Sequence, residues 1–147
     1  MEIKDILQPD CTLCAAQGTS KKRVLELISN VASKHLADID QATILASLMN
    51  REKMGSTGIG NGIALPHGRL KELKHVLAVV VTNQTPIEFD AIDKLPVDIF
   101  FAILVPEDKA AEHLGTLSAI AAKLTDKDTL QRMREAHTDA ELFKVMN

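Results

Sequence analysis

The chain is 147 residues long, 46% apolar and 25% charged, with a formal net charge of −3. That length suits one ordinary domain, residues 1–147, with a self-sufficient core, and the composition excludes a disordered chain. No apolar run approaches the ~18–20 residues that span a bilayer, so no membrane insertion is expected. The opening MEIKDILQPD has acids, a proline and no apolar signal core, which predicts a cytoplasmic protein. Residues 1–75 carry +2 and residues 76–147 carry −5. With four Phe as the aromatics and no basic block longer than Lys21-Lys22-Arg23, the basic stripe and stacking rings of a nucleic-acid surface are missing.

The two cysteines, Cys11 and Cys14, form C-T-L-C. Reduced, partly buried thiols near a short strand are expected, because a zinc site needs more ligands than this pair supplies and no second pair follows. A redox or zinc role is the alternative. Next, Ser20 precedes KKRVLELISNVASKHL, where Val24, Leu25, Ile28, Val31 and Ala32 repeat with helical spacing. Asp40 is placed to cap QATILASLMNREKM, with Ile44, Leu45, Leu48 and Met49 on one face and Gly55 as the stop. The short ADID connection makes these two helices a hairpin. Two strands are predicted further on, His75–Thr82 and Val97–Val105, the second bounded by Pro96 and Pro106. Both read as buried on two faces. A helix is then predicted from about Lys109 to Leu124, with Leu114, Leu117, Ile120, Ala121 and Leu124 on its apolar face. A short helix starts at Asp126 or Asp128, and Thr138-x-x-Glu141 is a capping box for a last one. The sum is an α/β fold with a mixed β-sheet sandwiched by helices on both sides.

One stretch departs from this pattern. Residues 55–68, GSTGIGNGIALPHG, hold five glycines and a proline in fourteen positions. Glycine costs backbone entropy, so such density has a reason. The stretch is either a bent strand pair packed closely on a sheet or a loop whose N–H groups meet an anion. It lacks the third glycine of G-x-G-x-x-G and has no G-K-[ST] ending, which excludes the common nucleotide loops. It ends on His67, held between Pro66 and Gly68, a sound way to mount a reactive ring.

Two further residues are candidates beside it. His113 falls early in the helix after Pro106, where the helix N-terminus disfavours added positive charge by ~0.3–1 kcal/mol and keeps the ring neutral. Arg51 ends the second helix, as a cation compensating its dipole or as a charge for the same site.

The segment REKMGSTGIGNGIALPHG closely resembles the phosphorylation-site segment of the enzyme IIA proteins of the bacterial phosphoenolpyruvate-dependent phosphotransferase system. The likeness is to the fructose/mannitol superfamily, and within it to the nitrogen-regulatory branch. It continues through TPIEFDAID, PVDIFFAILVP and EHLGTLSAIAAKL, from about Lys21 onward, with nothing to rely on in the first twenty residues. Leu65 stands where isoleucine is more usual, and Arg69 where lysine is common.

The resemblance implies that His67 is phosphorylated on a ring nitrogen, that His113 is the second active-site histidine, and that Arg51 closes on the phosphoryl group. Amides of the loop residues Ser56, Thr57, Gly58, Gly60 and Gly62 are expected to face that group as well. It implies a phosphohistidine carrier and not an ATP-dependent kinase. The donor would be an HPr-like phosphocarrier protein, regulatory target proteins would lie downstream, and no metal or other cofactor would be needed. The alternative is a sugar-specific IIA that passes phosphate to a IIB domain for uptake. An apolar rim of Met54, Ile59, Ile63 and Leu65 suits docking of a protein better than of a sugar.

Overall fold

The computed structural model describes residues 2–147. Its elements are, in chain order, α1 (Ile3–Ile6), β1 (Leu7–Ala16), α2 (Lys21–His35), α3 (Gln41–Lys53), β2 (Gly58–Gly60), β3 (Ile63–Ala64), β4 (His67–Leu70), β5 (Leu77–Ile87) and β6 (Val97–Pro106). A 3₁₀ segment (Glu107–His113), α4 (Leu114–Lys123), α5 (Lys127–Glu135) and α6 (Asp139–Met146) follow. The six strands form one mixed sheet in the order β1-β5-β6-β3-β2, with β4 also paired to β6. β5 and β6 run antiparallel, while β1 on β5, and β3 and β4 on β6, run parallel.

Alternation along β5 and β6 splits the core into two layers. Val79, Val81, Phe100 and Ala102 face Val24, Leu25 and Ile28 of α2 and Ile44 and Leu48 of α3. Ala78, Val80, Phe101 and Ile103 face Ile120, Leu130, Met133 and Leu142 on the carboxy-terminal helices. Each large apolar side chain so enclosed is worth ~1.5–3 kcal/mol, which is why both strands are apolar throughout. Side-chain caps set the helix starts as the sequence indicates: Ser20 accepts from Arg23 N–H, Asp40 from Thr43, Asp126 from Thr129 and Thr138 from Glu141.

Four expectations need correction. The amino terminus holds a ten-residue strand, longer than the short one expected. It lies at the sheet edge beside β5, the position that tolerates Pro9 and Asp10. Residues 67–70 form β4 rather than a continuing loop. The strand expected at His75–Thr82 runs instead from Leu77 to Ile87. The helix expected from Lys109 to Leu124 divides at His113: residues 107–113 bury no side chain, so nothing selects α over 3₁₀ geometry there. Of its expected apolar face, Ile120 and Leu124 are buried; the side chain of Leu114 lies outside those described.

β3 and β4 share one register on β6, since Ile63 pairs with Ile99 and His67 with Ile103. They are a single line along β6, broken at Leu65-Pro66. Pro66 has no N–H, and its carbonyl accepts from Ile103 N–H at 2.9 Å. Gly68 then lets α3 lie against β4: a Cβ there would collide with the side chain of Ser47 and press on that residue's backbone. Ser47 Oγ donates to the Arg69 carbonyl at 2.9 Å across the same contact.

Gly68→Ala is therefore expected to cost ~1–3 kcal/mol of unfolding free energy. Gly115→Ala meets nothing within 4 Å and should gain up to ~1 kcal/mol as a helix substitution. Denaturant titrations of both variants check this; equal effects would mean that α3 is not held this close to β4.

Candidate active site

Among the described residues β4 pairs with β6 alone, which leaves its outer side free of a strand partner. α3 comes to this edge from the Phe100 face of the sheet, and the 3₁₀ segment with α4 from the Phe101 face. Between them lies a cleft of about 720 Å3, whose lining includes Asn50, Arg51, Met54, His67, Arg69 and His113. The structure thus brings together the three residues singled out from the sequence, from three different elements.

The half-buried ring of His67 is held at both nitrogens. Nδ1 lies 2.9 Å from the Leu65 carbonyl, and Nε2 lies 3.1 Å from Arg51 Nε. A guanidinium N–H only donates, so Nε2 is the acceptor and the proton sits on Nδ1, which donates to Leu65. The bonds therefore assign a neutral imidazole whose lone pair is on Nε2. Arg51 also donates from Nη1 to the Gly55 carbonyl at 2.8 Å, which ties it to the turn after α3. His113 is half-buried at the N-cap of α4, makes no side-chain capping bond there, and lines the same cleft.

Burial pushes the His67 pKa below the ordinary histidine value, and the Arg51 charge adds to this. The Leu65 carbonyl and the Glu52 carboxylate act the other way without overcoming it.

The glycine loop does a different job from the one expected. Ser56, Thr57, Gly58, Gly60 and Gly62 are not on the cleft lining. Thr57 N–H donates to Glu52, Gly58 N–H to Ser56 Oγ at 3.0 Å, and Asn61 N–H to Asp93 Oδ2 at 2.9 Å. Those amides are used within the loop and by its neighbours. Gly60 and Gly62 have φ of +102° and +80°, flanking Asn61 at +58°. They build the left-handed turn between β2 and β3, where only glycine is free of strain. Of the expected apolar rim, Met54 is exposed on the cleft lining and Ile59 is exposed away from it, but Ile63 and Leu65 are buried in the core layer under the carboxy-terminal helices.

Glu52, next to Arg51 in the chain, is a buried acid that sequence reading missed. Its side chain is buried; it accepts from Thr57 N–H at 3.1 Å, from Thr57 Oγ1 and from Lys21 Nζ at 2.9 Å. The available signal was an acid in the last turn of a helix, where the macrodipole disfavours one.

Cys11 and Cys14 are three residues apart on β1 and pack into opposite layers of the core, so they cannot act as a pair. Among the described residues, Asp10, Cys11 and His35 each bring a ligand atom within 4.8 Å of the others. Burial pushes the Cys11 thiol up to about 12, and Asp10 is already paired with His35 Nδ1 at 2.7 Å.

His67 is expected to titrate below pH 6.5, staying neutral at pH 7 and gaining a proton only in more acid solution. Arg51→Gln should raise the midpoint, since it removes one of the lowering causes, yet leave burial acting. An NMR titration of the ring carbons checks both; a wild-type midpoint above 6.5 would contradict the burial described here.

Comparison with known proteins gives the family. The family model for the phosphoenolpyruvate-dependent sugar phosphotransferase system, EIIA 2, matches residues 5–147. A nitrogen regulatory protein of Escherichia coli (strain K12) is 46% identical over 147 residues, covering 99% of this chain and 90% of its own. The crystal structure of nitrogen regulatory protein IIA-Ntr from Neisseria meningitidis superposes with a TM-score of 0.90 at 32% identity, over 99% of both chains. The mannitol IIA of Escherichia coli superposes with a TM-score of 0.76 at 16% identity, over 93% of this chain and 96% of its own, a likeness of fold alone. The likeness includes the first twenty residues, which the sequence motifs had left out. No helix among the described residues is long and apolar enough to cross a membrane. The chain belongs to the EIIA 2 family of the phosphoenolpyruvate-dependent phosphotransferase system and is a phosphotransferase component of the nitrogen-regulatory IIA kind.

Proposed function

We propose that His67 accepts a phosphoryl group on Nε2 from the phosphohistidine of an HPr-like carrier protein, and that this cytoplasmic domain regulates target proteins according to its phosphorylation state. The observation that carries the proposal is the ring's orientation. Nδ1–H is committed to the Leu65 carbonyl, and the lone pair on Nε2 is turned to Arg51, with both residues on the cleft lining. Relatives support the regulatory reading over sugar uptake, at 46% identity over 99% of the chain for a nitrogen regulatory protein against 29% over 86% for a fructose-specific EIIA component.

In the step, the Nε2 lone pair forms the new N–P bond while the donor's N–P bond breaks, its electron pair staying on the donor nitrogen. The donor ring leaves as neutral imidazole if its other nitrogen is protonated. His67 keeps its Nδ1 proton, so the phosphorylated ring is an imidazolium whose charge lies against the Leu65 carbonyl. Arg51 Nε must give up Nε2 for this to happen, and phosphoryl oxygens replace the acceptor it loses. Arg51 and His113 then stand where charge spreads over the equatorial oxygens in the transition state. Phosphate alters an interface through charge, about −1.5 to −2 on a modified hydroxyl, and a phosphohistidine acts comparably.

Intact mass after incubation with phosphoenolpyruvate, enzyme I and an HPr-like protein tests the reading. Wild type should gain one acid-labile phosphoryl group and His67→Ala none. Arg51→Gln should slow uptake by ~10²–10³-fold, as loss of one preorganised donor does. No gain in wild type, with a carrier that is itself shown to be phosphorylated, would overturn the proposal.

A further inference from the structure

We infer that Glu52 is a positioning residue for phosphoryl transfer, setting both nitrogens of the His67 ring through the turn that joins α3 to β2. The inference rests on His67 being the phosphoryl acceptor, and it concerns what aims that ring.

Two relays lead from Glu52 to His67. In the first, the buried carboxylate accepts from the N–H and the hydroxyl of Thr57. The Thr57 carbonyl accepts from Leu65 N–H at 3.0 Å. The Leu65 carbonyl in turn accepts from His67 Nδ1 at 2.9 Å. Leu65 precedes Pro66 in the gap between β3 and β4, where no ladder bond to β6 fixes its N–H, so its peptide takes its direction from Thr57. In the second relay, Arg51 and Glu52 grip one turn from two sides. Arg51 Nη1 holds the Gly55 carbonyl at 2.8 Å, and Glu52 holds Thr57 two residues on. Gly55, at φ +141° and with nothing near its Cβ position, gives the turn no stiffness of its own. Glu52 thus steadies the carbonyl that aims Arg51 at Nε2.

The charges around this carboxylate are placed against helix electrostatics. Glu52 is in the last turn of α3, and Lys21 is the first residue of α2. Each opposes its own helix dipole. Their pairing at 2.9 Å offsets that cost, with Lys21 also 3.6 Å from Asp90 and 4.6 Å over the Phe89 ring. Fold stability alone would put the opposite charges at these two helix ends. A pair held against both dipoles, with one member buried at 8% exposure and bonded to the turn beside the reactive histidine, is placed for the site.

The test compares wild type, Glu52→Gln and Glu52→Ala. Glutamine keeps the volume and an acceptor for Thr57 but loses the Lys21 pair; alanine loses both relays. For Glu52→Ala, kcat for phosphoryl uptake should fall ~100-fold, the size expected for misplacement of about 1 Å, with KM for the carrier within ~2-fold of wild type. Nitrogen-15 spectra of His67 should show a new population with the proton on Nε2. For Glu52→Gln, the kcat loss should be nearer ~10-fold, and the titration midpoint of His67 should move down. Wild-type kcat, tautomer and midpoint in folded Glu52→Gln and Glu52→Ala would overturn the inference. If Glu52→Ala does not fold, Glu52→Gln decides it alone. The tautomer and titration need no phosphoryl donor, so failure of wild type to take up phosphate would count against the proposed function, while NMR would still decide whether Glu52 sets the His67 ring.

Discussion

The hydrogen bond from His67 Nδ1 to the Leu65 carbonyl determines which nitrogen of the ring is able to react. A free imidazole exchanges its proton between two nearly equivalent positions. Here a carbonyl on the same strand line, two residues back, accepts a hydrogen bond from Nδ1–H and so keeps the proton on that nitrogen, and the donor-only guanidinium of Arg51 places the lone pair on the other side. The carbonyl is available because Pro66 interrupts the strand. Without an N–H at position 66, the line along β6 opens for one peptide, and His67 lies where it resumes.

The rest of the fold supports this small break. Apolar β5 and β6 form a sheet centre covered on both faces, which leaves β4 as an edge that neighbours can approach from both sides. Gly68 allows α3 to come in close, so that Arg51 arrives from one face; His113 arrives from the other at the junction of the 3₁₀ segment and α4. A site at a sheet edge is open enough for a protein partner, yet its ring is buried enough to stay neutral. Central strands would have buried it, and a surface loop would have left the tautomer free.

Much of this was readable in the sequence, and the misses have physical reasons. Helix periodicity with Ser20, Asp40 and Thr138 at the caps gave α2, α3 and α6 nearly to the residue, because capping is local chemistry. β1 was under-read because Pro9 and Asp10 argue against a strand in any setting except an edge, and edge position is a tertiary fact. His67, Arg51 and His113 were legible through one dense motif and its resemblance to a family. The role of the glycines was not: from sequence, an anion cradle and a tight left-handed turn look alike, and only the partners of Thr57, Gly58 and Asn61 separate them. Glu52 was hidden for the same reason, since its donors Thr57 and Lys21 are 5 and 31 residues away.

The most direct measurement is a long-range proton–nitrogen NMR spectrum of His67 in the free and the phosphorylated protein. The free ring should carry its proton on Nδ1 alone, and the phosphorylated ring should show phosphorus coupled to Nε2. A free ring protonated on Nε2, or phosphate found on Nδ1, would contradict the assignment of the Leu65 carbonyl as the group that chooses the reactive nitrogen.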